Sequence, residues 1–193
     1  MRSKDILEKA KSEIPSVDKI LEQAWNELNF DKDFVERNFG SALIRFEGKA
    51  NEIYMIYERK ALEKLAKYWI EFQKEKIKDK LKEIVEQEGW ENFIEKASKI
   101  FSEFGKLVQD FEKDMGNKRK ARGGKSFEKI VLKLLNFIGI KCEAPMGEMG
   151  KKLKRIDIVI PSAKVALETP DKAFFLTCKR TLRERWKQEI PQV

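Results

Sequence analysis

Hydrophobic positions recur at helical spacing through the first part of the chain. Val17, Ile20, Leu21, Ala24, Trp25 and Leu28 step by one, three or four residues, the signature of one buried helix face. Ser16, following Pro15, stands where a helix cap belongs, and Ser3 does the same for a short helix before it. Asn51 to Glu88 contains no Gly or Pro, and Ile53, Ile56, Leu62, Leu65, Trp69, Phe72, Ile77, Leu81 and Ile84 predict one long apolar stripe along it. Gly89 ends that helix, and Trp90 to about Met115 forms the next. Packing against a neighbouring helix is enough to explain such a stripe.

The pattern changes at Gly116-Asn117. A basic run, Lys118-Arg119-Lys120-Ala121-Arg122, meets Gly123-Gly124, and Ser126 then caps an amphipathic helix from Phe127 to Ile138 that Gly139 stops. Three short extended segments follow: Ile140 to Ala144, Arg155 to Ile160 with Pro161 ending it, and Ala173 to Cys178. Met146-Gly147 and Thr169-Pro170-Asp171 are the turn signals between them. A last helix follows Lys179, with Thr181 as its cap. The expected protein is α+β, with a helical N-terminal region over residues 1–116 and an α/β core with a short mixed sheet over 117–193.

Charge sharpens that division. The chain carries a net +8. Residues 1–116 hold 22 basic and 25 acidic side chains, whereas 117–193 hold 19 basic and 8 acidic, a net +11. A module with that excess attracts a polyanion, although a solvated, Lys-rich surface is the plainer explanation. There is no His among the 193 residues, so Ser-His-Asp and Cys-His catalysis and an HExxH zinc site are excluded. Cys142 and Cys178 lack CxxC spacing, which points to a reducing, cytoplasmic setting. The N-terminus has no apolar signal region and no run is long enough to span a membrane. Abundant Lys, Glu and Ile with few amides suggest a thermophile.

Few residues remain that can do chemistry. Asp157 interrupts the apolar strand Arg155-Ile156-Asp157-Ile158-Val159-Ile160, and a carboxylate there is costly unless paired or bound to a cation. Lys179 ends the next strand, so the two can meet across adjacent strands; a strand-edge ion pair is the simpler account of them. Glu128 lies on the inward half of the first core helix. Two acids and a lysine on three consecutive elements suit Mg2+, which takes hard oxygen ligands. Arg183-Glu184-Arg185 stands at the start of the last helix, where Arg can fork onto guanine and Glu can accept from cytosine. An ordinary salt-bridged helix start would look the same.

Three blocks then carry a resemblance. Arg119-Lys120-Ala121-Arg122-Gly123-Gly124-Lys125-Ser126-Phe127-Glu128, Arg155-Ile156-Asp157-Ile158-Val159-Ile160-Pro161 and Thr177-Cys178-Lys179-Arg180-Thr181-Leu182-Arg183-Glu184-Arg185-Trp186 resemble the EcoRII/PspGI-type restriction endonucleases of the PD-(D/E)xK nuclease superfamily. The likeness covers roughly residues 117–193. It implies Mg2+-dependent cleavage of double-stranded DNA at a short site built on CC/GG pairs, by a homodimer. It makes Asp157 the first metal carboxylate, Lys179 the catalytic lysine and Glu128 the acid of the first core helix. It places Arg183, Glu184 and Arg185 in the recognition block. Arg119, Arg122, Lys125 and Arg180 are the further basic residues expected to meet DNA.

Two departures stand out. Ile156 replaces the proline of the motif. Gln192 occupies the position, counted from Trp186, where the family carries its second metal carboxylate, and Glu189 is the only carboxylate on that helix after Trp186. The chain stops at Val193, where further strands and helices are expected, so a fragment, a truncated gene and a short family member all fit. Two other functions stay open: a sequence-specific DNA-binding protein that no longer cuts, and a structure-specific repair or recombination nuclease on the same core.

Overall fold

The computed structural model describes residues 3–87 and 89–178. Five helices come first: α1 Ser3–Lys11, α2 Val17–Leu28, α3 Lys32–Arg37, α4 Phe39–Gln87 and α5 Gly89–Phe137. The short helix α6 Gly147–Lys152, strand β1 Ile158–Ile160, helix α7 Ala163–Glu168, a 3-10 turn at Pro170–Lys172 and strand β2 Phe174–Leu176 follow. No helix among the described residues is long and apolar enough to cross a membrane. The chain divides into two units, Met1–Ser16 with Glu52–Arg119 and Val17–Asn51 with Lys120–Val193.

The first unit is held by rows of every fourth residue. Ile6 and Ala10 of α1, Ala61, Leu65 and Trp69 of α4, and Leu107, Phe111 and Met115 of α5 close one cluster. These i, i+4 rows are the ridges along which helices interdigitate. The expected stripe on α4 is therefore only partly right. Ile56 and Phe72 are 46% and 37% exposed. Ile56 precedes Leu65 by nine residues, about half a turn around at roughly 100° per residue. Ile70 and Phe101 open onto an apolar cleft of about 380 Å³ between α4 and α5.

The second unit gathers α2, α3, the start of α4, the end of α5 and everything after it. Asp31 caps α3 by accepting the Phe34 N–H at 2.9 Å. The Trp25 ring meets Phe30, Phe46 and Phe137 at 5.8, 5.5 and 4.9 Å between centroids. On α5, Ile130 and Leu134 are fully buried.

Helix α5 corrects the sequence reading. It runs unbroken through Gly116, the basic run, Gly123-Gly124 and Ser126, where a break and a fresh cap are expected. Likewise α4 starts at Phe39 and passes Gly40 and Gly48. A helical Gly costs about 1 kcal/mol against Ala. Burying a large apolar side chain gains about 1.5–3 kcal/mol, and Phe111, Met115, Ile130 and Leu134 flank the glycines of α5. Packing on both sides outweighs local preference. The stop at Gly139 does hold. Its φ is +90°, and the Ile140 N–H reaches the Leu135 carbonyl while the Gly139 N–H reaches Asn136, a Schellman ending that requires a left-handed residue.

β1 and β2 pair antiparallel, with Ile158 opposite Leu176 and Val159 opposite Phe175. The first expected strand is reduced to a single antiparallel bridge, Glu143 to Val159. The pairing seen among the described residues is thus the antiparallel part of the expected mixed sheet. Ile158 and Val159 are fully buried, and Val159 packs with Ala163 and Ala166 of α7.

Candidate active site

Asp157 stands one residue before β1 and extends its ladder. Its N–H donates to the Leu176 carbonyl at 3.0 Å. Its carboxylate Oδ2 accepts the backbone N–H of Cys178 at 2.6 Å. The side chain is half-buried, and this bond fixes its direction against the end of β2. The expected meeting of the Asp157 and Lys179 side chains falls outside the described residues; what the adjacent strands place beside Asp157 is the amide of Cys178. Lys179, Arg180, Arg183, Glu184, Arg185, Glu189 and Gln192 lie outside the described residues.

Glu128 is half-buried on α5, two residues before the buried Ile130. Among the described residues there is no group of three or more Asp, Glu, Cys or His side chains that could hold a metal. Asp157 and Glu128 are hard oxygen donors, the type that Mg2+ takes.

The basic residues of α5 divide by what they meet. Arg119 lies in the first unit, and its Nε is 2.9 and 3.0 Å from the two carboxylate oxygens of Glu58. A terminal nitrogen reaches Glu112 at 3.3 Å. The hydrogen bond to Glu58 raises the guanidinium pKa above its ordinary value despite partial burial. Arg119 thus already has two carboxylate partners within the protein. Arg122 is half-buried, and burial lowers its pKa to about 10, so it stays charged at neutral pH. Lys125 is exposed.

Sequence reasoning missed two features beside Asp157. One is the Cys178 amide, which no side-chain motif reveals. The other is the turn at Arg155, a residue expected to open the strand: it adopts φ +72°, and the strand starts only at Ile158; a Gly or Asn there would have signalled the turn, and the sequence has neither.

A restriction-endonuclease fold follows from comparison. The chain superposes on metal-depleted Ecl18kI in complex with uncleaved DNA with a TM-score of 0.74 at 19% identity, over 97% of this chain and 62% of that one. A restriction endonuclease PspGI–substrate DNA complex matches with a TM-score of 0.58 at 25% identity, over 91% and 59% of the two chains. In sequence, the chain is 30% identical over 97 residues to the type II restriction enzyme SsoII of Shigella sonnei, which is 47% of this chain and 31% of that enzyme. The family described as EcoRII C terminal matches residues 72–192, and the chain belongs to that family. The resemblance read from the three motif blocks is borne out, and the match begins well before them, within α4. The chain spans about a third of SsoII and about three-fifths of each solved chain.

Proposed function

We propose that the protein is a type II restriction endonuclease, hydrolysing double-stranded DNA with Mg2+ at a short CC/GG-containing site such as CCWGG or CCNGG. The family match and the restriction enzymes it resembles support the class. The observation that carries the site assignment is the Asp157 carboxylate held on the Cys178 amide at 2.6 Å. A carboxylate with a fixed direction, held on the amide of the residue before the candidate Lys179, is what a metal-dependent phosphodiesterase needs.

Asp157 and Glu128 would hold the cation, with Gln192 or Glu189 as a further ligand. Bound there, Mg2+ supplies polarisation of the scissile phosphate and a lowered pKa for its water. Lys179 orients that water and the phosphate. Arg183 and Arg185 read guanine and Glu184 reads cytosine, while Arg122, Lys125 and Arg180 meet the backbone. Each chain carries one such set and a duplex has two strands, so a homodimer is the working form. The setting is cytoplasmic and, on composition, thermophilic. One residue favours a second reading, a sequence-specific DNA-binding protein with weakened cleavage: Gln192, a neutral amide where the family has a carboxylate.

The test is a plasmid digest with and without Mg2+, for the wild-type chain and Asp157→Asn. The amide keeps the shape and an acceptor for Cys178 but loses the charge. Discrete fragments from the wild type and a loss on the order of a thousandfold in the variant are expected. Full activity in Asp157→Asn removes the site assignment, and binding without cutting in the wild type selects the second reading.

A further inference from the structure

The turn that delivers Asp157 combines strain with charge. The Ile156 N–H donates to the Leu153 carbonyl at 3.2 Å, closing a four-residue turn whose third residue is Arg155, at φ +72°. That position, as in a type II turn, favours Gly or Asn, because a side chain on left-handed backbone crowds the following carbonyl. Here it carries an Arg, beside Lys154 and after Lys152, the last residue of α6. All three are exposed. Among the described residues none of the three has an ion-pair partner, whereas Lys151 is on Glu148 at 2.7 Å.

The helix before the turn lies close on the segment that leads into it. A Cβ on Gly150 would lie 2.9 Å from the Pro145 carbonyl oxygen, so α6 lies directly against that segment. Among the described residues, three unpaired cations in four residues thus stand at the end of α6 and on the turn after it, ending two residues before Asp157.

Those observations belong together in one physical problem. A carboxylate that must act on a phosphodiester also repels it, and nearby cations offset that repulsion. Arg suits the strained position better than Lys for such a role, because its planar fork takes two phosphate oxygens at once. Gly or Asn would relieve the backbone and supply no charge. Strain retained at a non-glycine residue beside a candidate catalytic group marks a side chain kept for what it binds.

We infer that Lys152, Lys154 and Arg155 form a phosphate clamp, which grips the DNA backbone next to the scissile bond and sets it against Asp157. The inference rests on the nuclease reading above and adds a binding element that the three motif blocks do not assign.

The experiment uses the full chain and a short duplex carrying a CCWGG site. Affinity without Mg2+ is measured over a salt series, with thermal melting alongside, for wild type, Arg155→Gly and Arg155→Lys. Arg155→Gly relieves the backbone, so its melting temperature is expected unchanged or up to about 2–4 °C higher. Its affinity at low salt falls about tenfold, and the slope of log K against log salt shrinks by about one. Arg155→Lys keeps the slope and loses part of the affinity. Wild-type affinity and slope in Arg155→Gly, from a chain that binds and cuts normally, overturn the clamp alone. A drop in melting temperature overturns it too, by making Arg155 a prop of the fold. A wild-type chain that neither binds nor cuts any duplex removes the nuclease reading and the clamp with it.

Discussion

Two stretches of this chain are rich in Lys and Arg, and they differ in what the charges meet. On α5, Arg119 forks onto Glu58 and also reaches Glu112, Lys129 pairs with Asp18, and Arg122 is half-buried with its pKa lowered to about 10. In the turn before Asp157, Lys152, Lys154 and Arg155 stand exposed and, among the described residues, unneutralised. Formal charge ranks the two alike. Pairing separates Arg119 and Lys129 from the turn, because a cation already neutralised by carboxylates must give up those contacts before it can hold a phosphate. A net +11 over residues 117–193 therefore overstates what is available to a polyanion, and the shorter stretch is the better placed.

The sharpest way to break that comparison is to remove Arg119. The Glu58 side chain is only 11% exposed, so truncating its partner leaves a carboxylate poorly solvated and unpaired. Arg119→Ala is expected to cost about 1–3 kcal/mol of stability, toward the lower end because the Arg119 side chain is itself 44% exposed. Urea unfolding measures the loss. DNA affinity and its salt slope, read well below the melting temperature, stay at wild-type values. A variant with unchanged stability and weaker DNA binding would reverse the assignment and return Arg119 to the DNA surface.

A smaller effect tests why α5 carries the first stretch as an unbroken helix. A Cβ added to Gly116 or Gly124 would meet nothing within 4 Å. Each Gly→Ala change should therefore stabilise the chain by about 0.5–1 kcal/mol, the helical cost of Gly without a clash to offset it. Thermal melting of Gly116→Ala and Gly124→Ala measures it. Destabilisation by either would show that the helix does not continue through that residue.

These helices also show what the sequence could and could not convey. Helix α2, the stop at Gly139, and the approach of Asp157 to the end of β2 all follow from local pattern, because spacing, a left-handed ending and strand alternation are local properties. The family is legible as well, since its motifs are short and ordered. The course of α5 is not. Gly116, Gly123-Gly124 and Ser126 are punctuation by preference, and preferences of about 1 kcal/mol yield to packing that only the fold assembles. The engagement of Arg119 was hidden for the same reason: its partner Glu58 is 61 residues away. The turn at Arg155 escaped notice because its conformation runs against its residue type.

The smallest expected effect concerns a cation that the first unit neutralises completely. The Lys11 side chain is 6% exposed and pairs with Glu8 at 2.9 Å and with Asp114. Burial alone would lower its pKa, but hydrogen bonds to Asp114 and Glu8 outweigh burial and raise it. The same bonds lower both carboxyls. The lowered carboxyls contribute stability that is present above their unfolded values, about 4, and lost as pH falls through the folded ones. The raised Lys11 contributes below its unfolded value, about 10.4, and its share is lost as pH rises through the folded one. Stability should thus be flat through neutral pH and decline at both ends. Lys11→Met keeps an unbranched side chain in the same place and removes both linkages. At neutral pH it should be close to wild type, since Glu8 and Asp114 are 65% and 46% exposed and can hydrate. Below about pH 4 its stability should fall less steeply than that of the wild type, so the two curves should separate with the variant above. Urea midpoints for both proteins across the acid range decide the matter. Parallel curves would mean that Lys11 holds α1 by packing alone, and that full neutralisation, the property that sets Arg119 and Lys11 apart from the turn at Arg155, contributes nothing to this unit.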